Sequence, residues 1–234
     1  MRSYQLTGIV LGRTNFGEAD RVIRLFTSEL GKVSVVAKGV RKIKSRSAGH
    51  LEPFGEVSLW LAGGRGNLDV ISSANLQWYP HTLAADYSRL ERAFQLTAML
   101  DRLTEPGQSH PEAYAALKTL LQELEAAPAA PLIELWYRLQ LLNTLGYRPE
   151  LNQCLLCGYD QPDRGFHFDA VRGGLVCAGC AEPATPAISI PAIKLWRLMS
   201  DHPFAAIKTL QDGPALAAAT LELAATFLKY HAIG

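Results

Sequence analysis

The stretch "RVIRLFTSELGKVSVVAKG", Arg21 to Gly39, decides how the chain begins. "RVIRLFT" and "KVSVVAKG" are short and rich in β-branched residues, and "SELG" between them carries Gly31, suited to a tight turn. That is the pattern of two strands joined by a turn. Working outward, "YQLTGIVLGR" (Tyr4–Arg13) alternates apolar and polar residues, and the turn-like "NFGEAD" follows it. On the other side, "EVSLWLAG" and "LDVISSANL" flank "GRGN", a hairpin loop in prospect. Five short strands therefore fill the first eighty residues. Between the third and fourth lies "VRKIKSRSAGHLEPF", fifteen residues without an apolar period. Loops of that length are uncommon unless they are functional or disordered.

After Pro80 the period becomes helical. "HTLAADYSRLERAFQLTAMLDRLT" puts Leu83, Tyr87, Leu90, Phe94 and, after a drift, Leu100 and Leu103 near one face. "SHPEAYAALKTLLQELEAA" opens with Pro111 and Glu112, both helix-start signals. "PLIELWYRLQLLNTLG" ends at Gly146, a natural C-terminal cap. Near the C-terminus, Ser189 caps "SIPAIKLWRLMS" and Pro214 opens "GPALAAATLELAATFLKYH".

The 234 residues, 48% hydrophobic and 19% charged, describe an ordinary soluble chain. No apolar run approaches the ~20 residues that span a bilayer, and the N-terminus lacks a signal-peptide layout. The expectation is a cytoplasmic protein. Charge is uneven. Residues 1–80 hold eleven Lys/Arg against six Asp/Glu, while residues 81–149 and 150–234 each hold six against eight. A basic N-terminal part on a mildly acidic remainder points to nucleic acid at one end.

All four cysteines fall in "CLLCGYDQPDRGFHFDAVRGGLVCAGC". Cys154 and Cys157 form one CxxC, Cys177 and Cys180 the other, with nineteen residues between the pairs. Two tight turns supply four thiolates, the closed tetrahedral set of a structural zinc site. A redox pair would be expected beside a βαβ pattern, which is not visible. An iron–sulfur cluster stays open, since thiolates also suit iron. Four sulfurs leave no position for a reactive water, so hydrolytic metal chemistry is disfavoured. His167, Arg164 and Arg172, between the knuckles, are read first as hydrogen-bonding or solvated residues.

"KGVRKIKSRSAG" carries Lys38, Arg41, Lys42, Lys44 and Arg46 with no acid among them. One reading is an arm that neutralises phosphates; the other is a solvated charge run. Beside a five-stranded, partly open barrel the first is preferred, because OB-folds bind single strands with basic residues and stacking aromatics. Phe16, Phe26, Phe54, Trp60, Trp78 and Tyr79 are the aromatics available. No enzyme constellation stands out: "GGRGN" lacks strand–helix context, no nucleophile elbow is present, and the six histidines are scattered. Glu18 and Asp20 sit in a turn beside arginines.

With these pieces placed, the chain resembles the RecO family of bacterial recombination mediators. The resemblance rests on "GEADRVIRLFTSELGKVSVVAKGVRKIKSR" (Gly17–Arg46), on "LEPFGEVSLWL", on "LGYRPELNQCLLCG" and on "GGLVCAGC". It implies an α+β multidomain protein. Residues 1–80 would be an OB-fold β-barrel that binds DNA. Residues 81–149 and 188–234 would form an all-α domain, with an inserted four-cysteine zinc module at 150–187. It implies binding to single- and double-stranded DNA and annealing of complementary strands. It further implies work with RecR and the C-terminal tail of single-strand DNA-binding protein to load RecA, at the nucleoid. The family's basic OB-fold residues carry over onto Arg21, Arg24, Lys38, Arg41, Lys42, Lys44 and Arg46, and one structural zinc onto Cys154, Cys157, Cys177 and Cys180. A protein–protein adaptor and a zinc-ribbon nuclease are the competing readings. The nuclease is the weaker, lacking an acid cluster for magnesium.

Overall fold

The computed structural model of the chain describes residues 3–42, 48–64, 68–127, 131–161, 163 and 165–231. Strands β1 (Ser3–Phe16), β2 (Asp20–Thr27), β3 (Gly31–Ala37), β4 (Glu56–Ala62) and β5 (Asp69–Trp78) close into a barrel in the order β1-β2-β3-β5-β4. Only β3 and β5 pair in parallel, through Val35 with Asp69 and Val36 with Val70. This is the five-stranded OB-type barrel that the strand pattern implied. Ile23, Leu25, Val35, Val57, Leu59 and Leu61 are fully buried inside it, each on the inward phase of a period-two strand.

The long β1 serves two neighbours. Ser3–Ile9 pair with β4 and Ile9–Phe16 with β2, and a bulge between Val10 and Gly12 turns the strand from one to the other. At the bulge the Val10 N–H donates to the Gly55 carbonyl (2.9 Å), and the Phe54 N–H donates to the Val10 carbonyl (2.8 Å). Leu51–Gly55 is thereby stitched onto β1.

Contacts divide the chain into two compact units, Met1–Ala126 and Ala127–Gly234. In the first, helices α1 (His81–Ala85), α2 (Tyr87–Leu103) and α3 (Pro111–Ala126) accompany the barrel. Two polar ties hold them. Lys32 of β3 donates to the Asp101 carbonyl (2.6 Å) at the end of α2. Buried Glu56 accepts from Tyr114 and Lys118 of α3, each at 2.8 Å. Burial, reinforced by that carboxylate, pushes the Tyr114 phenol well up. α3 is capped together with its neighbours: Glu125 accepts the backbone N–H groups of Thr82 and Leu83 of α1, and Arg89 of α2 donates to the Leu124 and Glu125 carbonyls.

Gly31 shows how tight the β2–β3 turn is. Its φ is +59°, and a Cβ there would collide with the Gln108 carbonyl. Gly31→Ala is expected to cost more than about 1 kcal/mol, since it adds backbone strain to a clash with main chain. Denaturant unfolding checks this; an unchanged midpoint would mean that the 105–110 segment yields freely.

The sequence-expected helix over 81–104 is broken. Asp86 ends α1 and caps α2, its carboxylate accepting the Arg89 N–H at 3.1 Å. The restart shifts the helical phase. Ala93, Leu96, Thr97 and Leu100 are buried, whereas Tyr87 and Phe94, placed above on the apolar face, are 79% and 43% exposed.

The second unit joins α4 (Pro131–Thr144), α5 (Ile190–Asp201) and α6 (Gly213–His231) to a small sheet. Its strands β6 (Phe166–Asp169), β7 (Gly174–Cys177) and β8 (Ala187–Ile188) run in the order β7-β6-β8. Trp196 is wholly buried, donates to Thr220 Oγ1 (2.9 Å) and meets Phe168 edge-on at 5.0 Å. Past α4, the Tyr147 N–H donates back to the Leu142 carbonyl (2.8 Å), closing the helix around Gly146. Ser189 caps α5 by accepting from the Ala192 N–H (3.3 Å). Among the described residues no helix is long and apolar enough to cross a membrane.

Candidate functional site

Two constellations carry chemistry. The first is basic and lies at one end of the barrel. Val40 is buried in the barrel core, so the exposed Lys38, Arg41 and Lys42 project from a segment anchored between them. The anchor has a polar half. Asp20 accepts from the Gly39 N–H (2.7 Å), and the Arg41 N–H donates to the Ala19 carbonyl (3.0 Å). Asp20 is thus spent on backbone rather than on a neighbouring arginine. The Arg41 guanidinium donates to the Gly17 and Glu18 carbonyls (3.3 and 3.0 Å). That ties the β3 exit to the β1–β2 turn, where Arg21 leans on Asn15 Oδ1 (3.3 Å). No carboxylate among the described residues pairs with Arg21, Lys38, Arg41 or Lys42. Their charge therefore faces solvent uncompensated, a fit for phosphate. Lys44 and Arg46 lie outside the described residues.

Arg24 differs. It stands on the outer face of β2 in a 2.6 Å ion pair with Asp101, which also meets Lys32 at 3.3 Å. The two chain segments are 77 residues apart, so no sequence pattern announces the pair. Of the six aromatics, Phe26 and Phe54 are core and not available for stacking. Trp78 and Tyr79 are half-buried. Phe16 and Trp60 are 55% and 48% exposed. Trp60 lies between Gln5 and Ser73 on neighbouring strands, both uncharged. Phe16 pairs with Asp20 and adjoins Gly17, to which Arg41 is bound, so it is the exposed ring beside the basic end.

The second constellation is the cysteine cluster. Its four Sγ atoms all lie within 4.8 Å of one another. The first knuckle is a turn closed by Gly158 N–H to the Cys154 carbonyl (2.9 Å), the second by Cys180 and Ala181 N–H groups to the Cys177 carbonyl (2.9 and 3.0 Å). β6 and β7 bring them together, with Cys177 opposite Phe166. Glu150 leads into the first knuckle through two backbone bonds that bracket Gly174, donating to the Gly173 carbonyl (3.0 Å) and accepting from Leu175 (2.9 Å). Only glycine fits at 174, since a Cβ would run into Glu150.

The set fits a metal on geometry as well as on chemistry. Bonds of about 2.3 Å at tetrahedral angles put sulfurs about 3.8 Å apart, and the Cys157 and Cys177 sulfurs are 3.8 Å apart. Burial alone would raise the Cys154 thiol, but the N–H groups of Cys177, Leu156 and Cys157 outweigh it and bring it down to about 6. Hydrogen bonds with Cys157 and Cys177 push Cys180 up to about 12. The four sulfurs together could hold one metal ion. His167 is outside the set, its Nδ1 2.8 Å from the Thr185 carbonyl. Arg172 is committed to Asp169 (2.5 Å) and Glu182 (2.9 Å). Arg164 lies outside the described residues.

Sequence reading missed the small sheet that assembles the knuckles, because four-residue strands carry too little periodicity to register. It also gave no sign that Arg13 and Phe94 line one cleft, because only the fold brings them to it.

Comparison with known proteins places the whole chain. Residues 1–78 match the family model described as Recombination protein O N terminal, and residues 84–233 match Recombination protein O C terminal. A DNA repair protein RecO of Roseiflexus sp. (strain RS-1) is 35% identical over 231 residues, 98% of this chain and 81% of that one. The DNA repair protein RecO of Myxococcus xanthus (strain DK1622) is 30% identical over 237 residues, 99% of this chain and 93% of its own. That of Anaeromyxobacter sp. (strain K) is 34% identical over 225 residues, 96% and 85% respectively.

Proposed function

The chain belongs to the RecO family, and on that premise we propose that it is a non-catalytic mediator of recombinational DNA repair that binds and anneals DNA strands. The observation that carries this is the uncompensated cluster of Arg21, Lys38, Arg41 and Lys42 at one end of an OB-type barrel, with exposed Phe16 beside it. Lys44 and Arg46 extend the same basic run in sequence. Cations there lower the repulsion between two phosphate backbones, so complementary strands can approach on one protein surface. Arg24 joins this set by exchanging Asp101 for a phosphate. Contacts of this kind hold strands without reading sequence, which suits a protein that must work at any gap.

Residues 1–80 act as the DNA-binding domain in this reading. The helical parts, 81–149 and 188–234, receive protein partners: RecR and the C-terminal tail of single-strand DNA-binding protein. Through them RecA is loaded. The module at 150–187 holds one zinc ion on Cys154, Cys157, Cys177 and Cys180. Bound zinc supplies four metal–sulfur bonds that staple a segment too short to bury its own core. With all four positions taken by sulfur, its role is structural.

An annealing assay tests the proposal. The full chain should speed pairing of complementary labelled strands, lose that effect as salt rises, and leave every phosphodiester intact with magnesium present. Strand cleavage would replace the reading with a nuclease. Salt-independent annealing would remove the phosphate mechanism.

A further inference from the structure

A cleft of about 290 Å³ opens within the first unit, between the outer face of β1–β2 and helix α2. That is the low end of small-ligand pockets. Arg13, Arg24 and Phe94 are among its lining residues. Arg13 pairs with Glu52, and Arg24 pairs with Asp101 at 2.6 Å. Both pairs are solvent-exposed, and such pairs hold weakly. Gly12 lies beneath Arg24: a Cβ there would stand 3.2 Å from Arg24 Nη2. The missing side chain lets the arginine lie across β1 towards α2.

Phe94 is 43% exposed, unusual for a phenylalanine on a helix that faces a barrel. Its ring rests on Phe54, centroids 4.7 Å apart and tilted by 55°. Phe54 is fully buried and has φ +69°, unlike every other non-glycine among the described residues. A bulky side chain in the left-handed region is strained, and such strain gathers at ligand clamps. Here the two hydrogen bonds around Val10 hold the strained turn in place. The strain positions one buried ring as a floor for one open ring.

We infer that this cleft takes a single unpaired nucleotide, its base stacked on Phe94 and its phosphate held between Arg13 and Arg24 in place of Glu52 and Asp101. The inference rests on the reading of the chain as a DNA-binding protein. Three features favour a nucleotide. Guanidinium forks match phosphate oxygens. An open aromatic face accepts any base. And the basic end of the barrel lies close by: Arg21 is three residues along β2 from Arg24, about 10 Å at ~3.3 Å per residue, so one nucleic-acid strand could reach both although their side chains leave opposite faces of β2. A base inside a duplex cannot reach Phe94 without leaving its stack. The cleft therefore selects single strands, which the basic loop cannot do.

The test uses the full chain, a single-stranded oligonucleotide carrying one 2-aminopurine, and a duplex of equal length. Phe94→Leu keeps the apolar contact with Phe54 but has no π face. It should weaken single-strand binding about 5- to 100-fold and abolish stacking quench of the probe. Duplex affinity should stay within about twofold, since paired bases do not reach the ring. Phe94→Tyr should restore both signals. Arg13→Gln should flatten the single-strand salt slope by about 0.7. Thermal unfolding verifies that each variant is folded. If the wild type binds DNA but Phe94→Leu and Arg13→Gln leave single-strand affinity and slope unchanged, the cleft assignment falls while the DNA reading stands. Equal losses for single strand and duplex would make Phe94 a structural residue and overturn it too. Binding of an acidic peptide that Arg13→Gln abolishes, with DNA binding untouched, would give the cleft to a protein ligand. If the wild type binds no DNA at all, the parent reading fails first.

Discussion

Alanine at Lys38, Lys42, Lys44 and Arg46 together is expected to lower DNA affinity by about two to three orders of magnitude at moderate salt. Each phosphate contact contributes roughly 0.7 to the slope of log affinity against log salt for single strands, so four contacts should flatten it by up to ~3. The loss should be alike for all sequences and shared by single strands and duplexes, because the charges meet backbone and not bases. Arg41 is left in place on purpose. Its guanidinium bridges to the Gly17 and Glu18 carbonyls, so removing it would loosen the β1–β2 turn and confound charge with geometry. Folding of the fourfold variant should survive, since exposed Lys38 and Lys42 make no ion pair among the described residues and solvated charges contribute little. Annealing should fall with binding. A variant that keeps wild-type affinity and slope would reduce the basic run to a solvated surface.

Loss of the metal should act just as strongly on the other unit. Apparent zinc binding of about 10–16 kcal/mol in structural sites is folding free energy for the segment that carries it. Cys177→Ser is the most severe single change, because Cys177 is both a buried sulfur and a member of β7 opposite Phe166. Zinc content is expected to drop from one per chain to none, and limited proteolysis should begin to cut between residues 150 and 188. The barrel should keep its own melting transition, because its core is drawn from β1–β5 and the loop that joins β3 to β4. Zinc retention should weaken as pH falls, since protons compete with metal for the thiolates. Metal analysis that finds iron, or nothing, in the wild type would overturn the assignment.

What could be read in advance divides along physical lines. The barrel strands were legible because their period is local: Ile23, Leu25, Val33 and Val35 alternate within one short stretch. The knuckles were legible because metal chemistry fixes spacing. The break at Asp86 was readable in principle, as an N-cap three residues before Arg89, but the flanking apolar residues masked it and moved Phe94 to the wrong face. Arg24 with Asp101, Glu56 with Tyr114, and Phe94 on Phe54 were not legible. Those partners lie 77, 58 and 40 residues apart and meet only when the barrel closes. A pairwise contact of that kind leaves no periodic trace.

The divided loyalty of β1 has a consequence in time. As the chain leaves the ribosome, Ile9–Phe16 can zip onto β2 almost at once, a hairpin of neighbours. Ser3–Ile9 must wait for β4, whose last residue is Ala62. At ~5–20 residues per second the 35 residues from Thr27 to Ala62 take roughly 2–7 s to appear. For that interval the newborn strand shows half its length as a raw edge, open to any other strand nearby. The exposed half begins with Ser3, Gln5 and Thr7 alternating with apolar neighbours, polar enough on one side to blunt sticking. The nascent chain thus meets its riskiest moment while the barrel is still open along β1.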